Sequence, residues 1–166
     1  ALAIVFGGFF GRKIVSQALA NLGAARMARI QLADFPSERW EAQLAPGQME
    51  IEAGLLRRAL AWDPMNRSAN QRLGLLAMQR WDFDAALPYL TRAYQVDPGH
   101  RGVVKNLGYC LTWLGRYEEA GALLRRISED GRELQAYAGW WPPRGRPDLA
   151  QRASSMQSIL TNEVKP

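Results

Sequence analysis

The stretch Ala59-Leu-Ala-Trp-Asp-Pro64 recurs 34 positions later as Ala93-Tyr-Gln-Val-Asp-Pro98. The same offset relates Arg80-Trp-Asp-Phe-Asp-Ala-Ala86 to Leu114-Gly-Arg-Tyr-Glu-Glu-Ala120. A fixed period between 20 and 50 residues is typical of proteins that stack similar structural units. The 34-residue repeat is therefore the feature of this 166-residue sequence that decides the fold.

Hydrophobic spacing inside the repeat predicts helices. Leu73, Leu76 and Ala77 fall at i, i+3 and i+4, which places them on one apolar stripe of a helix. Asp63-Pro64 and Asp97-Pro98 separate successive helices, because proline has no amide hydrogen and its ring clashes inside a helix. No segment shows the alternation of apolar and polar residues that a strand requires. The sequence predicts an all-α fold.

Glycine occupies the same mid-helix position in both repeats, where Leu73-Gly74 recurs as Leu107-Gly108. Glycine inside a helix costs about 1 kcal/mol relative to alanine. We expect a close approach of the neighbouring helix to offset this cost, with small residues opposite. The residues expected to pack the repeats are Leu73, Gly74, Ala86, Leu90, Ala93, Pro98, Leu107, Gly108, Ala120 and Leu124.

Residues 67–100 and 101–134 resemble the tetratricopeptide repeat, a helix–turn–helix unit of 34 residues. The matching positions are Asn70, Leu73-Gly74, Ala77, Ala86, Leu90, Ala93 and Pro98 in the first unit, and Val104, Leu107-Gly108, Leu111, Ala120, Leu124 and Ile127 in the second. The resemblance implies a right-handed α-solenoid of about four helix pairs over residues 14–161. It also implies that the domain binds another protein or peptide.

A degenerate unit precedes the two clear ones. Asn21-Leu22-Gly23 is similar to Asn106-Leu107-Gly108, so residues 14–66 predict a first helix pair. Its second helix is expected over 48–62, and the extra residues are expected around Pro36–Pro46. Terminal repeats are expected to be atypical because they cap the stack.

A second degenerate unit, residues 131–161, follows. Gly145-Arg-Pro-Asp-Leu-Ala150 is similar to the start of the second helix in the preceding repeat, but at a shorter offset. This similarity predicts a shortened closing pair with helices around 132–141 and 147–161. Residues 162–166 are expected to form a tail.

Residues 1–13 consist of an uncharged apolar run that ends at Arg12-Lys13. Eleven helical residues rise about 16 Å, whereas the hydrocarbon core of a bilayer is about 30 Å thick. We interpret the run as the end of a longer transmembrane helix; a buried core helix, or a signal peptide cleaved at Ala18-Leu19-Ala20, are the alternatives. The expected membrane contacts are Leu2, Ile4, Val5, Phe6, Phe9, Phe10, Arg12 and Lys13.

Charge is distributed unevenly along the chain. The net charge is +5, but the residues before Asp34 include four basic and no acidic side chains, and the rest of the chain is close to neutral. A basic segment beside an apolar run favours a membrane surface over a nucleic-acid partner. Arg12-Lys13 favour a cytoplasmic flank under the positive-inside rule.

Residues that carry catalytic chemistry are scarce. Cys110 and His100 are the single cysteine and histidine, which is too few for a Cys/His zinc site. We interpret His100 as a polar residue in a turn between helices, and Cys110 as a small buried hydrophobe. No glycine-rich phosphate loop follows a strand pattern. The sequence predicts no enzymatic activity, cofactor, metal or small-molecule substrate.

Aromatic residues suggest where a partner binds. Trp113 lies outside the packing stripe, close to Tyr109, on the face that such repeats turn inward. One subset of the family binds C-terminal carboxylates with a basic clamp; Lys105 and Asn106 occupy two of its positions, whereas Tyr109 stands where the clamp has asparagine. The candidate groove comprises Gln71, Lys105, Asn106, Tyr109 and Trp113. The alternative is that the rings pack the core.

These features together predict a non-catalytic bacterial scaffold or accessory subunit, tethered to a membrane protein complex through its N-terminal segment. Two alternatives remain open. One is the C-terminal regulatory region of a polytopic cell-envelope glycan polymerase or ligase, and the other is a soluble adaptor.

Overall fold

The computed structural model describes residues 2–33, 47, 49–128 and 131–162. These residues form helices and turns without a β-strand, so the all-α prediction is confirmed for this part of the chain. The α-helices are α1 (Leu2–Ala33), α2 (Glu50–Trp62), α3 (Arg67–Gln79), α4 (Phe83–Val96), α5 (Arg101–Trp113), α6 (Tyr117–Arg126), α7 (Arg132–Trp140) and α8 (Pro147–Asn162). A short 3-10 helix spans Pro142–Arg144.

The helix ends follow the proline and glycine signals in the sequence. The helices α2 and α4 each end one residue before an Asp-Pro pair, at Asp63-Pro64 and Asp97-Pro98. The helices α7 and α8 lie where the closing pair was expected. The insertion predicted around Pro36–Pro46 and residues 163–166 of the tail lie outside the described residues.

The turn inside each clear repeat has the same backbone geometry. Trp81 and Gly115, 34 positions apart, both adopt the left-handed conformation, with φ of 61° and 78°. In each turn the next amide donates back into the preceding helix: Asp82 N to Ala77 O at 3.0 Å, and its equivalent Arg116 N to Leu111 O at 2.9 Å. The left-handed conformation is strained for any residue that has a Cβ. The turn is therefore strained at Trp81 and unstrained at Gly115.

The N-termini of α3 and α5 are capped by side chains at equivalent positions. The Asn66 side chain accepts from Ala69 N at 3.0 Å, and Nδ1 of His100 accepts from Val103 N at 3.2 Å. An N-cap satisfies one of the amides that the first helical turn leaves without a partner. His100 is thus a polar turn residue with a defined structural role.

The chain divides into two compact units, Ala1–Asp97 and Pro98–Pro166. In the first unit α1 pairs with α2 and α3 pairs with α4, and α3 contacts both α1 and α2. In the second unit α5 pairs with α6 and α7 pairs with α8, and α8 contacts both α5 and α6. Successive helix pairs therefore pack against each other inside each unit.

In each of the first three helix pairs, a glycine of the first helix packs against a leucine of the second. A Cβ on Gly74 would lie 2.6 Å from Cγ of Leu90, and a Cβ on Gly108 would lie 2.6 Å from Cδ2 of Leu124. Cβ contacts this short are essentially never observed, so a larger residue at either position would force the leucine or the helix to shift. A Cβ on Gly23 would lie 3.1 Å from Cδ2 of Leu56, so α1 and α2 approach each other in a similar, slightly looser way.

A buried polar network joins the first two helix pairs. Ser16 Oγ donates to Ala59 O and accepts from Asn66 Nδ2, both at 2.9 Å. Asn70 Nδ2 donates to Pro64 O at 2.9 Å and to Asn66 O at 3.0 Å. These bonds satisfy the Ser16 hydroxyl and the amide nitrogens of Asn66 and Asn70, which would otherwise be costly to bury.

Helix α1 runs unbroken across the expected boundary between residues 13 and 14, antiparallel to α2. Its contact face comprises Ser16, Ala20, Gly23 and Met27, which are all buried. In the described part of the chain, no helix combines the length and apolar character needed to cross a bilayer.

Candidate functional site

Helices α5 and α7 lie side by side and run in the same direction. Three pairs of residues, each 28 positions apart, join them: Lys105 forms an ion pair with Glu133, Tyr109 meets Tyr137, and Trp113 meets Trp141 just beyond the end of α7. The two ring pairs meet edge to face with centroids 5.9 and 5.4 Å apart, a geometry that favours aromatic pairing. We call these six residues the ladder.

The ladder is buried at its tryptophan end. Trp113 is 2% exposed and Tyr109 is 4% exposed, whereas Lys105, Glu133 and Tyr137 are half-buried. The Nζ atom of Lys105 also lies 5.4 Å from the ring centroid of Tyr109. A partner approaching this face therefore meets the charged pair and Tyr137 before it meets the inner rings.

Half-buried and exposed groups extend the ladder past the end of α7. Trp140 lies 4.6 Å from Trp141 and 6.1 Å from Tyr137, measured between ring centroids. The exposed Arg144 guanidinium stacks on Trp140, with Cζ 3.8 Å from the ring centroid, and donates to Trp140 O at 2.9 Å. Tryptophan and arginine are enriched among the residues that dominate binding energy at protein interfaces.

A further contact holds the ladder to α8. Arg152 donates to the carbonyl of Trp113 at the end of α5. At the start of α8, Arg146 forms a two-pronged pair with Asp148 at 2.8 and 3.0 Å, and its hydrogen bonds hold the pKa of the Asp148 carboxyl below its ordinary value. The Arg152 bond joins α8 to the end of α5, whereas the Arg146–Asp148 pair is local to the start of α8.

Four of the five groove residues predicted from the sequence share α5. Lys105 and Asn106 are half-buried and remain within reach of a partner, while Tyr109 and Trp113 pack inside the ladder. Gln71 lies on α3 in the first unit, where its Oε1 accepts from Arg67 at 3.2 Å.

The residues expected to pack the repeats are buried except for Pro98. Pro98 is exposed because it acts after the end of α4, where its missing amide hydrogen stops the helix, and not through side-chain packing. Its carbonyl accepts from Arg126 at 3.4 Å.

Sequence reasoning did not select Tyr137, Trp140 and Arg144 as groove residues. The signal that finds Tyr137 is the repetition of an i, i+4 pattern: Tyr109 and Trp113 recur as Tyr137 and Trp141 at an offset of 28, a pattern to which Trp140 and Arg144 do not belong. This offset is shorter than the 34-residue period in part because α6, which lies between α5 and α7, has 10 residues, whereas its counterpart α4 has 14.

The structure also places the two residues considered for chemistry. Cys110 is fully buried on α5, as expected of a small hydrophobe, and His100 caps that helix. Across the described residues, no group of histidine, cysteine, aspartate and glutamate side chains is arranged to hold a metal ion.

Comparison with known proteins agrees with the repeat. Residues 75–139 match the family model of the tetratricopeptide repeat, so the resemblance is confirmed over that segment. No curated protein sequence matches the chain.

Among solved structures, the chain is similar to MamA of AMB-1, with 22% identity, a TM-score of 0.49, and coverage of 95% of this chain and 93% of that chain. It is also similar to MamA of MSR-1, with 21% identity, a TM-score of 0.48, and coverage of 93% of this chain and 99% of that chain.

Proposed function

We propose that this chain, which carries tetratricopeptide repeats at residues 75–139, is a non-catalytic scaffold or accessory subunit that binds another protein beside a membrane. Tetratricopeptide repeats support a role in protein interaction. The finer parts of the proposal are the binding surface on α5 and α7, and the tether at the start of α1.

The observation that carries the binding surface is a set of accessible side chains on and beside the ladder, which we call the outer edge of the ladder. Lys105 and Asn106 on α5, Tyr137 and Trp140 on α7, and Arg144 beyond it are all half-buried or exposed. The buried rings beneath them form a rigid platform, so little conformational entropy is lost when a partner orders the outer groups. This combination of rigid aromatics with a stacked arginine is typical of binding hot spots.

The observation that supports the tether is the composition of α1. Residues 2–11 carry no charge, and Arg12, Lys13, Arg26 and Arg29 follow without an acidic residue before Asp34. Basic side chains next to an apolar segment favour contact with the anionic cytoplasmic leaflet. In this proposal the repeats display the partner surface in water while the start of α1 holds the chain at the membrane.

Site-specific photo-crosslinking in the native cell tests the partner surface. A photoreactive amino acid replaces Asn106 in one variant and Ala136 in another, because Ala136 is exposed on α7 and lies one helical turn from both Glu133 and Trp140; the exposed Ser154 on α8 serves as the matched control. We expect positions 106 and 136 to crosslink to the same protein in one defined band, and position 154 to give a much weaker band. Equal crosslinking from all three positions, or none from positions 106 and 136, contradicts the assignment.

A further inference from the structure

The base of the apolar segment on α1 lies beside the end of α2. Arg12 Nε donates to the carbonyl of Trp62, the last residue of α2, at 3.3 Å. Because α1 and α2 are antiparallel, residues 2–11 precede the level at which α2 ends, and at 1.5 Å per residue they extend about 15 Å beyond it. The apolar segment therefore projects beyond the end of the α1–α2 pair.

Exposed apolar side chains lie around the contact between Arg12 and Trp62. Trp62 is 45% exposed, and Met65, Phe10 and Ile14 are also exposed. These four meet solvent at one end of the α1–α2 pair; Ile30, Leu32 and Ile51 are exposed at the opposite end, where the acidic Glu50 and Glu52 flank Ile51. We call Phe10, Ile14, Trp62 and Met65 the collar.

The charges beside the collar are mainly basic. Arg12 and Lys13 lie on α1 between Phe10 and Ile14, and Asp63, the acidic residue next to Trp62, accepts from Met65 N at 3.1 Å through its carboxylate. Tryptophan prefers the interface of a bilayer, where its ring is partly apolar and its N–H is hydrated. Lysine and arginine at the same depth contact anionic headgroups.

We propose that the collar binds the surface of an anionic phospholipid bilayer, with Trp62 at the end of α2 and Met65 in the following turn entering the interface beside the start of α1. This inference rests on the proposed membrane tether and goes beyond it. The tether needs only residues 1–13, whereas the collar adds a second point of contact from α2 and its following turn. Two points of contact fix how the first helix pair is oriented on the membrane.

Vesicle flotation with the full chain tests the proposal. The vesicles contain either phosphatidylcholine alone or phosphatidylcholine with about a third phosphatidylglycerol. We expect binding to the anionic vesicles that weakens with salt, because each basic residue near the surface contributes about a five-fold change in partitioning at low ionic strength.

Two matched pairs of variants locate the contact. Trp62→Ser is compared with Val96→Ser, because Val96 is the equivalent residue 34 positions on and is 44% exposed. Lys13→Gln is compared with Arg29→Gln, because 16 residues of helix separate them by about 24 Å, which exceeds the Debye length of about 10 Å at 0.1 M salt. We expect Trp62→Ser and Lys13→Gln each to weaken anionic vesicle binding about five-fold or more, while the two controls change it less than two-fold.

The outcomes separate the two proposals. If the wild-type chain does not float with either vesicle, both the tether and the collar are wrong. If binding depends on Lys13 but is unchanged by Trp62→Ser and Met65→Ser together, the tether stands and the collar is wrong. If those substitutions instead abolish a concentration-dependent dimer measured by light scattering, a second copy covers the collar, and the lipid assignment is overturned.

Discussion

Leu124 occupies the space that a side chain at position 108 would need, because a Cβ on Gly108 would lie 2.6 Å from Cδ2 and 2.7 Å from Cγ of this fully buried leucine. The same relationship joins Gly74 to Leu90 one repeat earlier. The 34-residue period of the sequence therefore appears in the structure as a repeated contact in which a leucine side chain of the second helix covers a glycine of the first.

This contact predicts a strong coupling between the two positions. Gly108→Ala should lower the free energy of unfolding by about 1–3 kcal/mol through overpacking, and Leu124→Ala by about 2–5 kcal/mol through a cavity. The double variant should lose less than the two single losses together, because the new methyl group enters the space that Leu124 leaves. Denaturant unfolding measures all four proteins.

A matched cycle provides the control for this coupling. A Cβ on Gly139 of α7 would meet nothing within 4 Å. Gly139→Ala combined with Leu124→Ala should therefore be additive. Additivity at positions 108 and 124 as well would contradict the contact described here.

The turn at Gly115 predicts a backbone effect without a packing effect. Gly115 has φ of 78°, and a Cβ there would meet nothing within 4 Å, so Gly115→Ala should cost about 1 kcal/mol through left-handed strain alone. Gly139→Ala, in a helix of the same unit, should be neutral or stabilise by about 0.5 kcal/mol. Thermal unfolding of both variants gives the comparison, and equal effects would argue against the strained turn.

The ion pairs at the start of α2 predict a dependence on pH. Hydrogen bonds from Arg57 and Arg80, at 3.1 and 2.8 Å, hold the pKa of Glu50 below its ordinary value of 4.5. A lowered folded-state pKa means that this contribution is present above pH 4.5 and is lost as the pH falls through the folded-state value.

Glu50→Gln removes the titrating group while keeping most of the side chain. The stability difference between wild type and this variant should shrink as the pH falls below 4.5, and it should also shrink at high salt because Glu50 and Arg57 are exposed. Urea unfolding between pH 7 and pH 3 measures it. A difference that stays constant over this range would show that the carboxylate contributes nothing through its charge.

The ladder predicts that substitutions of its buried rings mainly lower stability, whereas substitutions at its outer edge mainly weaken partner binding. Trp113 is buried and contacts Tyr137 and Trp141, so Trp113→Ala should cost about 3–5 kcal/mol. Trp140 is half-buried at the outer edge, so Trp140→Ala should cost much less stability and remove a partner contact. Circular dichroism melts and crosslinking yield from position 106 measure the two effects. A large loss of stability in both variants would place Trp140 in the core.

The sequence predicted the local features of the fold well. The offset of 34 residues located the mid-helix glycines, and the Asp-Pro pairs marked where α2 and α4 end. These predictions succeeded because proline and glycine act on the backbone at their own positions.

Features that depend on distant residues could not be predicted. Ser16 and Asn66 are 50 positions apart, and neither belongs to a pattern that identifies the hydrogen bond between them. Likewise, the burial of Trp113 depends on Tyr137 and Trp141, which belong to a closing pair at a different offset. An aromatic residue off the packing stripe is exposed or buried according to its neighbours, so the groove assignment needed the three-dimensional arrangement of α5 and α7.

The composition of the complex purified from the native cell in mild detergent tests the central claim most directly. Native mass spectrometry of the full chain should find a second protein at fixed stoichiometry, and this protein should be lost in the double variant Trp140→Ala with Arg144→Ala but kept in Ser154→Ala. A chain that purifies alone and monodisperse without detergent, or a second protein whose binding is unchanged by the double variant, would contradict a scaffold that binds its partner through the outer edge of the ladder.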